Sequence, residues 1–304
     1  MKNAVKTAFL LCSALIGAGF ATGREICEFF PPNGMWGTLS AVFSCVLMAV
    51  FTYFIIKYGE IISQNIVYRI FVFLFLVCAA SAMLAGASVF PGGRIIMTVL
   101  VVLTYAAGLS GIETAALVLT PIMALYIFVS AFLHGSVEIP PFSGISSHPF
   151  IYAGYNLISF PILLKNIKIE KPFAVSAVLF AVMAPLTIAV CILTQGFADF
   201  EMPLFTAVSG GVLCGFMLFA AMYTTAACSA FCMADIAGKK YGYFGIFMSF
   251  CTSFFGFGRI VSTGYRVFGI IGFAICMFIG TGSFYKPKKR NTAKCAENRR
   301  YCKN

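Results

Sequence analysis

Charge is scarce in this sequence of 304 residues. Asp, Glu, Lys and Arg together make up 10% of it, against 61% for the hydrophobic residues. A soluble domain carries about 25% charged and about 45–50% apolar residues, so a soluble enzyme, a disordered chain and a fibrous protein are excluded at once. Histidine is nearly missing, with two copies. His134 and His148 flank one predicted loop without thiol or carboxylate partners, which is too few ligands for a metal site. No Gly-x-x-x-x-Gly-Lys-Ser/Thr loop occurs, which removes ATP-driven transport by this chain alone. No Cys-x-x-Cys pair occurs among the 12 cysteines. Most of them lie in or beside apolar runs, including Cys228 and Cys232 on one helix face. Small apolar packing suits them better than a zinc site or a disulfide framework. Glu25, Glu113 and the scattered serines form no catalytic constellation at readable spacing, and no channel filter sequence is present.

What is abundant is apolar length. A helical span of a bilayer needs about 20 apolar residues, and the sequence divides into ten such segments. They are Thr7–Phe30, Met35–Lys57, Val67–Phe90, Arg94–Leu109, Glu113–Leu133, Pro149–Leu164, Pro172–Leu193, Val208–Ala234, Tyr243–Phe257 and Arg266–Gly282. Lys2 and Lys6 before the first run imitate a signal peptide. The apolar pattern continues through Phe30 and more spans follow, so the first segment reads as an uncleaved span. Leu11 stands where a lipoprotein signal would place a small residue before Cys12.

The basic residues give these spans a direction. With the N-terminus in the cytoplasm, nine Lys and Arg fall inside between Lys2 and Lys240, and eight more lie in the tail between Lys286 and Lys303. Four fall outside, at Arg24, Arg94, Arg259 and Arg266, which accounts for all 21. This bias predicts cytoplasmic N- and C-termini. It explains the net charge of +11 as a topology anchor that touches anionic lipid, and nucleic acid is not an expected partner. The predicted outer loop Thr194–Ala207 holds Asp199 and Glu201 and no basic residue, and the outer loop His134–His148 carries Glu138.

Two of the spans do not read as continuous helices. The first contains Gly17-Ala18-Gly19-Phe20-Ala21-Thr22-Gly23-Arg24-Glu25, where each glycine weakens a helix by about 1 kcal/mol relative to alanine and a charged pair follows at membrane depth. The sixth contains Tyr152-Ala153-Gly154-Tyr155-Asn156-Leu157-Ile158-Ser159-Phe160-Pro161, in which Pro161 removes an amide donor and clashes one turn back. Non-helical backbone survives in a membrane only where protein or water satisfies it. Interrupted spans in corresponding halves point to a transport site. First and sixth of ten is the placement that two inverted repeats of five would produce. The alternative for Gly19-x-x-x-Gly23 is an ordinary small-residue packing face. In the eighth span, Ala221, Thr224 and Thr225 share a face at i, i+3 and i+4. One carbonyl and two hydroxyls there suit a hard cation; the alternative is that the hydroxyls bond their own helix backbone.

The string Ile16-Gly17-Ala18-Gly19-Phe20-Ala21-Thr22-Gly23-Arg24-Glu25-Ile26, followed by Phe29-Phe30, resembles the YkvI-type family of bacterial membrane proteins. That family lies within the amino acid–polyamine–organocation superfamily, whose fold is the LeuT-type five-plus-five inverted repeat. The resemblance implies an all-α membrane protein of about ten spans, with broken helices 1 and 6. Residues 1–283 would form one transporter domain, with repeats of about 7–133 and 149–282, and 284–304 a basic cytoplasmic tail in the bacterial cell membrane. It also implies a secondary transporter of a small polar solute, possibly an amino acid, coupled to a cation. The candidate solute-binding residues are Gly17, Ala18, Gly19, Thr22, Glu25, Tyr152, Tyr155, Asn156 and Ser159. In sodium-coupled members a cation sits between the first break and the eighth span. Carried over, its ligands would be the carbonyls of Gly17, Phe20 and Ala221 and the hydroxyls of Thr224 and Thr225. Some proton-coupled members use a lysine in the fifth span, which has none here; this favours Na⁺, with Glu25 or Glu113 as the carrier if the ion is H⁺. Arg24 would pair with Glu25 or with Glu28 one turn on. The other reading is a solute-sensing receptor subunit, germination-permease-like, without net transport. Small solute and membrane lipid are the implied partners, no enzyme activity is expected, and the solute's identity and the oligomeric state stay open.

Overall fold

The computed structural model describes residues 2–30, 34–107, 110–134, 148–165, 167, 169–208 and 211–281, and among these every regular element is helical. Glu138 and most of the His134–His148 loop, and the 284–304 tail, lie outside the described residues. Among the described residues, five helices are long and apolar enough to cross a bilayer: Trp36–Ser63, Ile66–Val89, Pro172–Thr194, Val212–Ala237 and Phe257–Gly280. The apolar residues are not confined to the interior. Ile95, Leu103, Leu125, Phe216 and Ile270 point outward and are exposed, while Phe20, Val72, Leu186 and Met222 are fully buried. A helix bundle that is apolar on both its inner and outer surfaces belongs in lipid.

The chain starts with three short helices in line, α1 (Lys2–Leu15), α2 (Ala18–Thr22) and α3 (Arg24–Phe29). The first interruption falls at Ile16 and Gly17. The second is Gly23, whose φ of 76° is left-handed and therefore suited to glycine. A Cβ on Gly23 would also lie 2.5 Å from the Thr194 side chain. Then come α4 (Gly34–Ser63), α5 (Ile66–Gly86), α6 (Gly93–Ala107) and α7 (Ser110–His134). Asn65 caps α5 by accepting from the backbone N–H groups of Val67 and Tyr68 at 2.9 and 3.2 Å, as N-cap residues do.

The second half opens with another interrupted helix. Helix α8 (His148–Leu157) stops, a turn at Ile158 and Ser159 follows, and α9 (Phe160–Leu163) resumes with Pro161 in its first turn. Pro161 has no N–H to give the Leu157 carbonyl, so the helix cannot run through. The freed carbonyl of Ile158 accepts the Tyr68 hydroxyl at 2.5 Å. Tyr68→Phe removes that donor and leaves a buried carbonyl unpaired, at a cost of about 1–3 kcal/mol; a lower apparent melting temperature with an unchanged overall fold is the expected result. Next are α10 (Pro172–Thr194), α11 (Pro203–Ala207), α12 (Val212–Ala237) and α13 (Lys239–Thr252). The last helix opens with α14 (Phe257–Arg259), widens into a π-helical stretch at Ile260–Tyr265 and continues as α15 (Arg266–Gly280).

The packing has a simple plan. Helix α4 lies against α10 and α5 against α12; α1 packs on α10 and α7, and α8 packs on α4 and α15. Helices α8 and α15 meet backbone to backbone. A Cβ on Gly154 would collide with the Gly269 carbonyl and the Phe273 amide, and one on Gly272 with the Gly154 carbonyl. Small residues are what allow helix axes to approach this closely in a bilayer.

Candidate functional site

The breaks in the two interrupted helices face one cavity. This cavity of about 60 Å³ lies between Gly17 at the first break, Asn156 and Ser159 at the second, and the side of α12 that carries Thr225 and Ser229. Helix α5 contributes Phe75 and the π-helical stretch contributes Tyr265. One water needs about 10–15 Å³ of such space, so the cavity has room for about four waters or a small solute.

Glu25 is the one ionisable acid in the cavity wall, and no Lys, Arg or His lines it among the described residues. Its side chain turns back along α3 against Gly19, where a Cβ would overlap the carboxyl group. The absence of a side chain at position 19 thus makes the place in which the carboxyl group sits. The Tyr155 hydroxyl donates to Glu25 Oε2, which ties α3 to α8 across the space between the two breaks. The Tyr155 ring is stacked between Phe29, with centroids 5.6 Å apart and planes at 10°, and Tyr265, at 4.7 Å and 19°. Both Glu25 and Tyr155 are buried. A buried carboxyl group with a single hydroxyl donor is costly as an anion unless a cation or a proton balances it.

The basic neighbour of Glu25 in sequence is engaged elsewhere. Arg24 pairs with Glu28 at 3.6 Å and donates to the carbonyls of Ala198 and Phe200, each at 3.2 Å. Arg266 reaches the other oxygen of Glu28 at 2.7 Å. Of the two partners the sequence allows Arg24, the structure pairs it with Glu28. This network joins α3, the segment after α10 and the start of α15.

The candidate solute-binding residues separate into two groups. Gly17, Glu25, Tyr155, Asn156 and Ser159 line the cavity. The others support it. Gly19 makes room for the Glu25 carboxyl group. The Thr22 hydroxyl donates to the Gly19 carbonyl at 3.0 Å and accepts the Arg24 N–H at 3.2 Å, closing the turn into α3. The Tyr152 ring packs edge-on against Phe29, Phe30 and Tyr155, and its carbonyl accepts the Asn156 amide at 2.9 Å. Ala18 belongs to α2, and its side chain lies outside the described part.

The candidate cation ligands divide as well. Gly17 and Thr225 face each other, since a Cβ on Gly17 would lie 3.4 Å from Thr225 Oγ1. The Thr225 hydroxyl is buried without a hydrogen-bond partner among the described residues. Thr224 instead donates to the Ala221 carbonyl at 3.0 Å, the backbone bond that threonine commonly makes in a helix. The Gly17 and Phe20 carbonyls accept the N–H groups of Ala21 and Gly23 at 2.8 and 3.0 Å, and each carbonyl keeps a second lone pair. Glu113 falls in α7, in a stretch whose side chains lie outside the described part.

Among the cavity residues that the sequence reasoning did not single out as a site are Ser229, Cys228, Phe75 and Tyr265. Ser229 could have been found, because Thr225, Cys228, Ser229 and Cys232 stand at i, i+3, i+4 and i+7 and share one face. Tyr265 carries no such signal, since it reaches the cavity from a local widening of the helix. No protein-family model matches the chain, and no curated protein matches its sequence.

Proposed function

We propose that this chain is a secondary transporter of a small polar solute in the bacterial cell membrane, coupled to a cation and working by alternating access. The observation that carries the reading is the cavity at which two interrupted helices meet, lined by a carboxyl group, hydroxyls and an amide within an otherwise apolar bundle. Interrupted helices of a bundle place polar backbone and side chains where a solute can be held at membrane depth.

The span count in this reading is ten. The α1–α3 series is the first, α8–α9 the sixth, α12 the eighth and α14–α15 the tenth. Support for two inverted repeats of five comes from the packing plan. Exchanging each span of one half for its counterpart maps the α1–α10 contact onto α8–α4, and α7–α1 onto α15–α8. It also maps α6–α12 onto α13–α5, and it leaves α4–α10 and α5–α12 as self-paired central contacts. Both termini are cytoplasmic in this reading, as the basic residues require.

The coupling cation is Na⁺ at the Gly17–Thr225 contact, or H⁺ on Glu25. A buried hydroxyl without a partner among the described residues, facing the Gly17 backbone, fits an oxygen-ligated ion. Such an ion would draw on the Gly17 carbonyl and Thr225, with Phe20, Ala221 and Thr224 beside them. One Na⁺ crossing about 100 mV releases about 2.3 kcal/mol, and a tenfold gradient adds about 1.4 kcal/mol, enough to concentrate a solute several hundredfold. Thr225→Val keeps the side-chain shape and deletes the hydroxyl. In the Na⁺ case, solute uptake by proteoliposomes should need about tenfold more Na⁺ in the variant and recover at saturation. Uptake that ignores Na⁺ and follows the proton gradient rejects the Na⁺ site and moves the role to Glu25. Solute binding without any uptake rejects transport and leaves the sensor reading.

A further inference from the structure

We infer that Cys228 and Cys232 form a two-coordinate site for a soft monovalent metal ion of the Cu⁺ class. The site is separate from the oxygen ligands at Gly17 and Thr225, and it stands whether or not the chain carries a solute. The two cysteines are one turn apart on α12, which puts their Cβ atoms about 5–6 Å from each other on one helix face. A metal–thiolate bond is about 2.3 Å long, so two of them end to end bridge about 4.6 Å and fit that spacing. The thiols are hydrogen-bonded to each other, and both residues line the cavity. No other cysteine lines it among the described residues. Elsewhere in the bundle thiols are matched with oxygen, Cys45 with the Thr187 hydroxyl at 3.4 Å and Cys27 with the Thr194 carbonyl at 4.0 Å.

The donor set selects the ion. Sulfur ligands favour Cu⁺ over the hard cations that oxygen holds. Zinc wants four ligands, and among the described residues no third His, Cys, Asp or Glu joins the pair in a metal-binding group. Cu⁺, with its filled d shell, is satisfied by two sulfur donors in line. Met83 brings a thioether to the same cavity, whose wall also carries the apolar Leu76, Ala79 and Leu163. Binding needs no oxidant or reductant. One S–H bond breaks and its proton leaves to water. One Cu–S bond forms to the resulting thiolate and one to the second, neutral thiol, and the ion stays Cu⁺ throughout. The centre is then uncharged, which spares a wall without basic side chains among the described residues the cost of a buried charge.

The test uses the purified, reduced full chain and Cu⁺ presented by the chelator bathocuproine disulfonate, whose colour reports how much metal the protein withdraws. Loss of an outer partner of a metal ligand costs about 10–100-fold in affinity, so loss of one of two ligands should cost about a hundredfold or more. Cys228→Ala and Cys232→Ala should each show that loss, while Cys45→Ala, which removes a thiol outside the cavity wall, should bind as the wild type does. In wild-type protein, one equivalent of Cu⁺ should protect Cys228 and Cys232 from alkylation by iodoacetamide, read residue by residue by peptide mass spectrometry, and the same amount of Zn²⁺ should not. This second reading survives a variant that does not fold. Unchanged Cu⁺ affinity in the two cavity variants, Zn²⁺ held as tightly as Cu⁺, or protection confined to other cysteines overturns the site.

Discussion

Gly154→Ala is expected to lower the apparent melting temperature by about 2–6 °C. The added Cβ would collide with the backbone carbonyl of Gly269 and the amide of Phe273, neither of which can rotate away as the end of a side chain could. Helices α8 and α15 must then separate along the whole contact. Overpacking of this kind costs about 1–3 kcal/mol and at times more, and in a chain of this size each kcal/mol moves the midpoint by about 2 °C. Gly272→Ala should behave alike, because its Cβ meets the Gly154 carbonyl. Gly258→Ala is the control, since a Cβ there meets nothing within 4 Å. Equal melting temperatures for Gly154→Ala and Gly258→Ala would contradict the close packing of α8 on α15.

The second large effect belongs to the cavity. Gly19→Ala should reduce solute binding about a hundredfold while leaving the melting temperature of the ligand-free protein within a few degrees of wild type. The new methyl group takes the place of the Glu25 carboxyl group. The atoms in its way are the end of a side chain, so the bundle adjusts by turning Glu25 aside rather than by moving helices. What is lost is the hydrogen bond from Tyr155 and the aim of the carboxyl group, and leaving a buried polar group without its partner is expensive. A thermal-shift titration with any solute that stabilises the wild type reads the loss. Unchanged affinity in this variant would mean that Glu25 does not touch the ligand.

The positions of the breaks were legible from the residues, because backbone chemistry causes them. Gly17, Gly19 and Gly23 weaken one helix, Gly23 takes a left-handed φ, and Pro161 stops the other. The contact between the two breaks was not legible in the same way. Glu25 and Tyr155 are 130 residues apart, and no local pattern marks them as partners. Thr224 and Thr225 look alike in sequence, both being hydroxyls on nearly the same face of one helix. Packing separates them: Thr224 bonds its own backbone, while Thr225 is turned towards Gly17 without a partner among the described residues. The Gly154, Gly269 and Gly272 contact passed unnoticed because glycine in a membrane helix is common, and only the approach of two backbones shows which glycines are required. Phe75 and Tyr265 are ordinary residues of apolar helices until the fold brings them beside Glu25.

Access to the cavity from both sides of the membrane tests the central claim most directly, and it needs no knowledge of the solute. Cys228 lines the cavity and forms no disulfide among the described residues. In a variant that keeps Cys228 as its sole cysteine, a membrane-impermeant methanethiosulfonate reagent is applied to right-side-out and to inside-out vesicles. Alternating access predicts labelling of Cys228 from both faces, with the ion that drives uptake raising the rate on one face and lowering it on the other. Labelling from one face alone under every ionic condition, or from neither, would contradict a transport site at the meeting of the two broken helices.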